Sequence, residues 1–218
     1  MLRLDLHIHT CFSKDSAAPI ASVVQRIQMN GLGPVAITDH DDIQGALEVR
    51  RLAPFPVIIG EEIKSTDGDI IGLFLQRRVP SGLTPLETVG QIKDQGGLVL
   101  VPHPFCRLRT SALDHGALMD ILPFIDLIEA YNARTVLPGD NQKGLVFARE
   151  HALPMVASSD AHSALELGGT YTEVPDSEYD GTAQGLVRAV NAGQTVGKPS
   201  NPLWLMAPGY AKLRKVFA

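Results

Sequence analysis

Five of the seven histidines stand in short polar clusters that follow apolar runs: Asp5-Leu6-His7-Ile8-His9, Thr38-Asp39-His40, Pro102-His103-Pro104 and Ser158-Ser159-Asp160-Ala161-His162. Gly60-Glu61-Glu62 and Glu129-Ala130-Tyr131-Asn132 have the same placement. Residues two apart on a strand share a face, so His7 and His9 present their imidazoles together, and Asp5 projects the same way. Asp160 and His162 repeat that spacing near the far end. With His40, Glu62, His103 and the loop carboxylate Asp15, the set comprises five imidazoles and three carboxylates. One ion accepts about four to six ligands, so the set suits a cluster of two or three ions. Mixed nitrogen and oxygen donors favour the divalent transition metals Zn, Mn or Fe over Ca or Mg. A lone histidine after a strand is ordinarily a hydrogen-bonded structural residue. The shared placement of five argues for metal. Asp39, just before His40, reads as an orienting or helix-capping carboxylate rather than a ligand.

The elements that must position these residues follow from the apolar runs. Leu2–Ile8, Pro34–Thr38, Pro56–Gly60, Gly97–Val101, Phe124–Ala130 and Pro154–Ala157 are too short for helices and rich in Val, Ile and Leu. That is how buried parallel strands read. Stretches of helical period lie between them: Ile20–Asn30 before Gly31, Asp42–Leu52 before Pro54, Pro85–Gln95 before Gly96, and Asn141–His151. Glycine and proline just beyond helix ends are the expected stops. One pair breaks the alternation, because Thr66-Asp67-Gly68 joins Val57–Lys64 to Asp69–Leu75 and predicts a hairpin. The chain is therefore expected to form an α/β sheet or barrel of mainly parallel strands. In such folds ligands gather at the C-terminal strand ends, where the polar clusters fall.

Composition bounds the function. A chain of 218 residues with 44% hydrophobic and 20% charged residues can bury a sizeable core. One domain over residues 1–218 is expected, with 201–218 as a C-terminal packing segment. The net charge of −5 and the lack of a basic block predict no binding to duplex nucleic acid. No apolar run suits a membrane span, and Asp5, His7 and His9 interrupt any signal peptide, so a cytoplasmic protein is expected. Cys11 and Cys106 form no CxxC pair and are read as small buried hydrophobes. His115 and His151 fall on helical stretches and are read as non-ligands.

Taken in order, Asp5-x-His7-x-His9-Thr10, Thr38-Asp39-His40-Asp41, Gly60-x-Glu62, His103-Pro104 and Ser159-Asp160-Ala161-His162 resemble the PHP family of metal-dependent phosphoesterases, named for its polymerase and histidinol-phosphatase members. The likeness runs through about Pro175. Ile128–Arg134 further resembles the small stand-alone bacterial branch. The resemblance implies a distorted (β/α)7 barrel with a trinuclear metal centre at the C-terminal strand ends. It implies the ligands His7, His9, Asp15, His40, Glu62, His103, Asp160 and His162, with Glu62 bridging. Many members carry a ninth ligand, often histidine, after the fifth strand. No histidine follows Glu129 closely here, so the resemblance implies either Glu129 or Asn132 as the substitute or a weakly held third ion.

Three divalent ions would carry twice the charge that three carboxylates remove, so the site is expected to be locally positive. It would attract a phosphate ester and acidify a bridging water, giving a hydroxide that attacks in line. Asp160 or His162 is expected to protonate the leaving alcohol. Arg109 and Arg134 are expected to clamp phosphate, since a guanidinium matches phosphate oxygens in bidentate fashion. The expected activity is hydrolysis of a small phosphomonoester, with nucleotides, bisphosphate nucleotides and short oligonucleotides as candidate substrates. The alternatives are a histidinol-phosphatase-like enzyme and a non-catalytic PHP scaffold. The sequence leaves the oligomeric state open.

Overall fold

The computed structural model describes residues 1–137 and 139–201. The expected packing segment lies, beyond Asn201, outside the described residues. Seven strand segments curl into a barrel. Six form one sheet in the order β2 (Val35–Ile37), β3 (Val57–Ser65), β4 (Gly68–Leu73), β5 (Leu98–Val101), β6 (Leu127–Asn132) and β7 (Met155–Ser158). The seventh begins at β1 (Leu2–Leu4) and runs on through isolated bridges, Asp5 to Val35 on one side and Ile8 to Ala161 on the other. The first segment thus spans the gap between β2 and β7. All neighbours in the large sheet are parallel except β4, which runs antiparallel to both β3 and β5. This is the expected hairpin and the main distortion of the barrel.

The expected helices are present as α1 (Ile20–Met29), α2 (Gln44–Leu52), α3 (Pro85–Lys93) and α5 (Asp140–Glu150), with α4 (His115–Ile121) between the last two. α3 opens on a capping box in which Thr84 and Glu87 bond each other's backbone, with Pro85 in the first turn. α2 begins two residues later than expected because the Asp42 carboxylate accepts the Gln44 N–H. The fifth apolar run also starts late, since Leu122–Phe124 forms a short 3-10 turn before β6. Beyond the expected elements, β8 (Tyr171–Val174) pairs with β1 and β9 (Gln194–Val196), and α6 (Ala183–Asn191) lies between them in sequence.

Two apolar layers result. Leu4, Leu6, Ala36, Ile58, Ile71, Leu73, Leu100, Leu127 and Val156 fill the barrel interior, and Leu186, Ala189 and Val190 of α6 join that cluster. Val35, Ile37, Ile59, Ile63, Val99, Val101 and Ile128 point outward and pack with α1 to α4 and Phe147 of α5. Strand alternation separates the two sets residue by residue. The interior carries apolar side chains toward its base and the polar clusters at the C-terminal strand ends. Among the described residues no helix is long and apolar enough to cross a membrane.

Gly45 links a helix to the polar end. A Cβ at this position in α2 would lie 1.9 Å from Asp39 Oδ2 and 2.5 Å from Thr10 Oγ1. Gly45→Ala should therefore destabilise the protein by about 1–3 kcal/mol, because overpacking outweighs the gain in helix propensity. Gly90→Ala on the exposed face of α3 meets no atom within 4 Å and should be neutral or stabilising. Urea unfolding of the two variants measures the contrast.

Candidate metal centre

The Glu62 carboxylate is the meeting point of the polar clusters. Its Oε1 lies 3.1 Å from His103 Nε2, and its Oε2 lies 3.2 Å from His9 Nε2, 3.2 Å from His40 Nδ1 and 3.3 Å from His7 Nε2. Asp160 Oδ1 faces the same group, 3.4 Å from His9 Nε2 and 3.6 Å from His7 Nε2. Asp15 reaches in from the loop after β1, 3.3 Å from His40 Nε2 and 3.5 Å from His162 Nε2. All eight residues that the sequence singles out as ligands therefore come together. Most are wholly buried, and His40 is the most open of them.

Strand geometry accounts for much of this convergence, and backbone irregularity for the rest. Glu62 extends β3 past its parallel pairing with β2, and an isolated bridge joins it to His40. His103 and Asp160 hold positive φ angles of 31° and 52°, which are uncommon for residues with a Cβ. Such strain persists where surrounding contacts over-determine it, and it gathers at functional sites. On β6 the register shifts between Glu129 and Tyr131. This bulge lets Glu129 and Asn132 face the interior together, where strict alternation would send Glu129 and Tyr131.

An outer set of groups orients the imidazoles. Glu129 Oε1 takes His7 Nδ1 at 3.1 Å, and its Oε2 accepts from the His103 N–H and from Asn132 Nδ2. Ser13 Oγ takes His9 Nδ1 at 3.0 Å and accepts the His40 N–H, while donating to Asp39 Oδ1. Asp39 also accepts from Thr10 N, Thr10 Oγ1 and Ser13 N, which folds the loop after β1. His162 Nδ1 donates to the Asp160 carbonyl. With their Nδ1 atoms engaged outward, His7 and His9 direct their Nε2 atoms at each other across 3.0 Å. Two lone pairs at that separation repel unless a proton or a cation lies between them.

Electrostatics agree with this geometry. Burial alone would lower His9, yet the facing carboxylates of Asp160 and Glu62 raise it to about 9. Burial and the like charge of His9 push His162 down to about 4. Burial would raise Asp15, but the imidazoles of His162 and His40 hold it far below the usual carboxylate range. Glu62 and Asp160 are likewise held low against burial, Glu62 by its histidines and Asp160 first by Arg109. Asp5 is raised by burial to about 7. Asp15 Oδ1, Asp160 Oδ1, Asp5 Oδ2 and His103 Nδ1 are buried without a hydrogen-bond partner among the described residues. Orphaned donors and acceptors of this kind are rare, and a cation would satisfy the carboxylate oxygens. Donor atoms within 4.8 Å of one another form four triads: His9, His40 and His162; His7, Glu62 and His103; His7, His9 and Asp160; His40, Glu62 and Asp69. The residues thus fit metal, as the coordination chemistry of imidazole and carboxylate requires.

Among the described residues, two clefts open on the cluster. One of about 370 Å³ is lined by Asp15, His40, His162, Arg109, Arg134 and Leu108 among others. The second, about 540 Å³, shares Asp15, His40, Thr110 and Ser111 and adds Lys14, Lys64 and Asp69. The three arginines near the site behave differently. Arg109 turns inward and pairs with Asp160. Arg107 is anchored to Asp140 at 2.7 Å, and Arg134 is buried against Glu166 at 2.5 Å. Cys106 is buried beside the first cleft, but Cys11 is exposed, contrary to expectation. Cys11 follows Thr10, which Asp39 draws inward, and so stands on the outside of the turn. His115 opens α4 and the His151 ring packs on Phe147, both away from the cluster.

Ser13, Asp69 and the orienting role of Glu129 escaped the sequence reading. Serine and aspartate in turns are too common to stand out. Asp69 has one signal, because hairpin register places it on the same face as Glu62.

Known proteins are similar to this chain in sequence or in fold. A family model described as PHP domain matches residues 5–92, and one described as PHP-associated matches residues 138–195. An uncharacterized protein of Methanocaldococcus jannaschii, MJ1587, is 37% identical over 145 residues, covering 61% of this chain and 82% of that protein. A two-domain Bacteroides vulgatus protein containing a predicted PHP-like metal-dependent phosphoesterase superposes with a TM-score of 0.71 at 17% identity, over 97% of this chain and 69% of its own. Endonuclease Q in complex with a 27-mer duplex bearing an abasic lesion superposes with a TM-score of 0.62 at 16% identity, over 87% of this chain and 56% of that longer one.

The last comparison corrects the expectation that duplex nucleic acid is excluded. A protein of this fold holds a DNA duplex at its active site. Net charge is a sum over the whole chain, whereas phosphate binding answers to the local field, and Lys14, Lys64 and Arg109 line the clefts here.

The outer set generates a prediction. Asp39→Ala removes the acceptor that holds Thr10 and Ser13, and with it the fixed orientation of His9. Affinity for Mn, measured by calorimetric titration, should fall about 10–100-fold, as for other outer-shell substitutions.

Proposed function

This chain belongs to the PHP family of metal-dependent phosphoesterases, and on that premise we propose that it hydrolyses a phosphomonoester at the cluster around Glu62. The observation that carries the reading is the close approach of the His7 and His9 Nε2 atoms, enclosed by the carboxylates of Glu62 and Asp160. In this reading His7, His9, Asp15, His40, Glu62, His103, Asp160 and His162 hold two or three divalent ions, with Mn, Zn or Fe suited to the donors. When bound, the ions supply an acidified water and neutralise charge on the transferred phosphoryl group.

The protein's own groups then divide the remaining work. Glu129 and Ser13 hold the His7 and His9 rings in the tautomer that turns Nε2 inward. Arg109 stands on the cleft wall and offers a planar fork to phosphate oxygens. Arg134 lines the same cleft, but its guanidinium is tied to Glu166, so its contribution is to brace the wall. Of the two candidate proton carriers, Asp160 is fully buried and paired with Arg109, while His162 lines the cleft. The leaving oxygen therefore arrives on the His162 side, but Nδ1 of His162 is committed to the Asp160 carbonyl and its Nε2 faces the cluster, so in this reading water entering the cleft supplies the proton. Leu108 and Val136 are exposed at the same cleft and suit an apolar part of a small substrate such as a nucleotide.

A second reading, hydrolysis of a nucleic-acid phosphodiester, is favoured by one observation. The second cleft continues from the first and carries Lys14 and Lys64, so a longer strand has a path past the cluster. Phosphate release from nucleoside monophosphates, bisphosphate nucleotides and histidinol phosphate, run beside cleavage of single-stranded and abasic duplex DNA, decides between the readings.

Two outcomes are expected. His9→Ala and Asp160→Ala should each lower turnover by more than about a hundredfold, the scale at which loss of a preorganised electrostatic group acts. Elemental analysis should show depleted metal in the same variants. Adding Mn to chelator-treated protein should raise its Tm, since ions that bind only the folded state stabilise it by mass action. An unchanged Tm at millimolar Mn counts against the proposal.

A further inference from the structure

Glu166 is a buried carboxylate that belongs neither to the ligands nor to the groups that orient them. Its side chain has no exposed surface, although it stands in the short 3-10 turn Ala164–Glu166 just after His162. Local structure explains half of its bonding. Ser163 and Glu166 form a capping box, and Glu166 Oε1 accepts the N–H groups of Ser163 and His162, each at 3.0 Å. Groups distant in sequence explain the other half, since Oε2 accepts Arg134 Nη1 at 2.5 Å and the Ser200 hydroxyl at 3.3 Å. One carboxylate thus joins the loop after β7, the loop after β6 and the strap that follows β9.

Each half reaches a working part of the site. The His162 carbonyl accepts Ser16 Oγ at 3.0 Å, and its Nδ1 donates to the Asp160 carbonyl at 2.9 Å. With Glu166 on the N–H, every polar group of His162 but Nε2 is held from outside, and Nε2 faces Asp15 at 3.5 Å. On the other side Arg134 lines the first cleft with its side chain only 4% exposed. The Arg134 N–H donates to Asn132 Oδ1, and Asn132 Nδ2 donates in turn to Asp160 Oδ2. The strap backs this arrangement. Thr170 Oγ1 bonds both the N–H and the carbonyl of Lys198, and the Ser200 N–H donates to the Ala133 carbonyl at 2.8 Å. A Cβ on Gly197 would lie 2.5 Å from the Tyr131 ring, so the strap passes directly over β6.

We propose that Glu166 is a positioning residue for hydrolysis, which registers the ligand His162 and the cleft wall at Arg134 against a single side chain. A substrate resting on that wall is thereby held at a set distance from the ions. The assignment rests on the reading above that the cluster holds metal and hydrolyses a phosphomonoester. Oε1 serves the metal side and Oε2 the substrate side, so suitable variants separate the two.

The test measures Mn affinity by calorimetric titration, together with kcat and KM for p-nitrophenyl phosphate. Glu166→Gln keeps one oxygen for the His162 and Ser163 N–H groups and turns an amide NH2, a donor, toward Arg134. It should bind Mn within about twofold of the wild type and keep kcat within about threefold, while KM rises at least about fivefold. Glu166→Ala removes both arms and should also weaken Mn binding about tenfold or more. Combining Glu166→Gln with Arg134→Met should raise KM no further than the larger of the two single changes, because the residues act as one unit. Wild-type KM in Glu166→Gln would overturn the assignment. A fall in kcat at unchanged KM would do the same, since that is the effect of a smaller folded fraction, and so would a multiplicative rise of KM in the double variant. If neither Glu166 variant folds, Arg134→Lys keeps the buried ion pair and loses the planar fork. A rise in its KM of about threefold or more at wild-type Mn affinity supports the assignment, and a wild-type KM refutes it. A wild type that binds Mn but leaves p-nitrophenyl phosphate and nucleoside monophosphates intact overturns the phosphoesterase reading and this assignment with it. The other outcomes arise only in an active enzyme, so the two failures are distinct.

Discussion

The structure is organised around one costly placement, a fully buried Glu62 carboxylate ringed by four imidazoles. Burying an ionised carboxylate costs several kcal/mol even after relaxation, and breaking such a group from its partners costs more. The barrel meets that cost by bringing imidazole partners from the ends of three other strands, with Asp160 and His162 closing the cluster. His7 and His9 follow β1, His40 follows β2, His103 follows β5, and Asp160 and His162 follow β7. No two adjacent elements alone would satisfy Glu62, so the cluster and the closure of the barrel depend on one another.

A second layer turns this collection into a site with defined donors. Glu129 and the Asp39–Ser13 pair engage the outward Nδ1 atoms, which turns the Nε2 atoms of His7 and His9 inward. The loop after β1 owes its shape to Asp39, and the close packing of Gly45 beneath Asp39 ties that loop to α2. The bulge in β6 and the positive φ angles at His103 and Asp160 show where regular backbone geometry yields to the needs of the centre. In each case strain lies within a residue or two of a chemically important group.

Charge explains how a net negative chain suits a phosphorylated substrate. Its acidic residues at the site are paired or face imidazoles, and the basic residues on the cleft walls are few but local. Arg109 is the most telling of these. Without metal it neutralises Asp160, and it occupies the wall where phosphate oxygens would arrive. The same local view explains why a whole-chain charge misjudged duplex nucleic acid as a substrate for this fold.

The sequence by itself determined the strand ends, most helices, the β3–β4 hairpin and the eight residues, Glu62 among them, that meet in the cluster. It could do so because strand-end placement and two-residue spacing are local properties, and imidazoles and carboxylates are rare enough in such places to be noticed. The tertiary structure alone decided the rest. Arg109 is paired with Asp160 and Arg134 with Glu166, thirty-two positions from Arg134 in sequence, and neither pairing is a local property. Ser13 and Glu129 became orienting groups only through hydrogen bonds across the barrel. β8, β9 and α6 went unforeseen, since β8 and β9 are short and pair beside β1 rather than within the large sheet. Asp69 shows the division most clearly. Its type and its place beside a turn are ordinary, and only antiparallel register, a property of two strands and not of one, turns it toward Glu62.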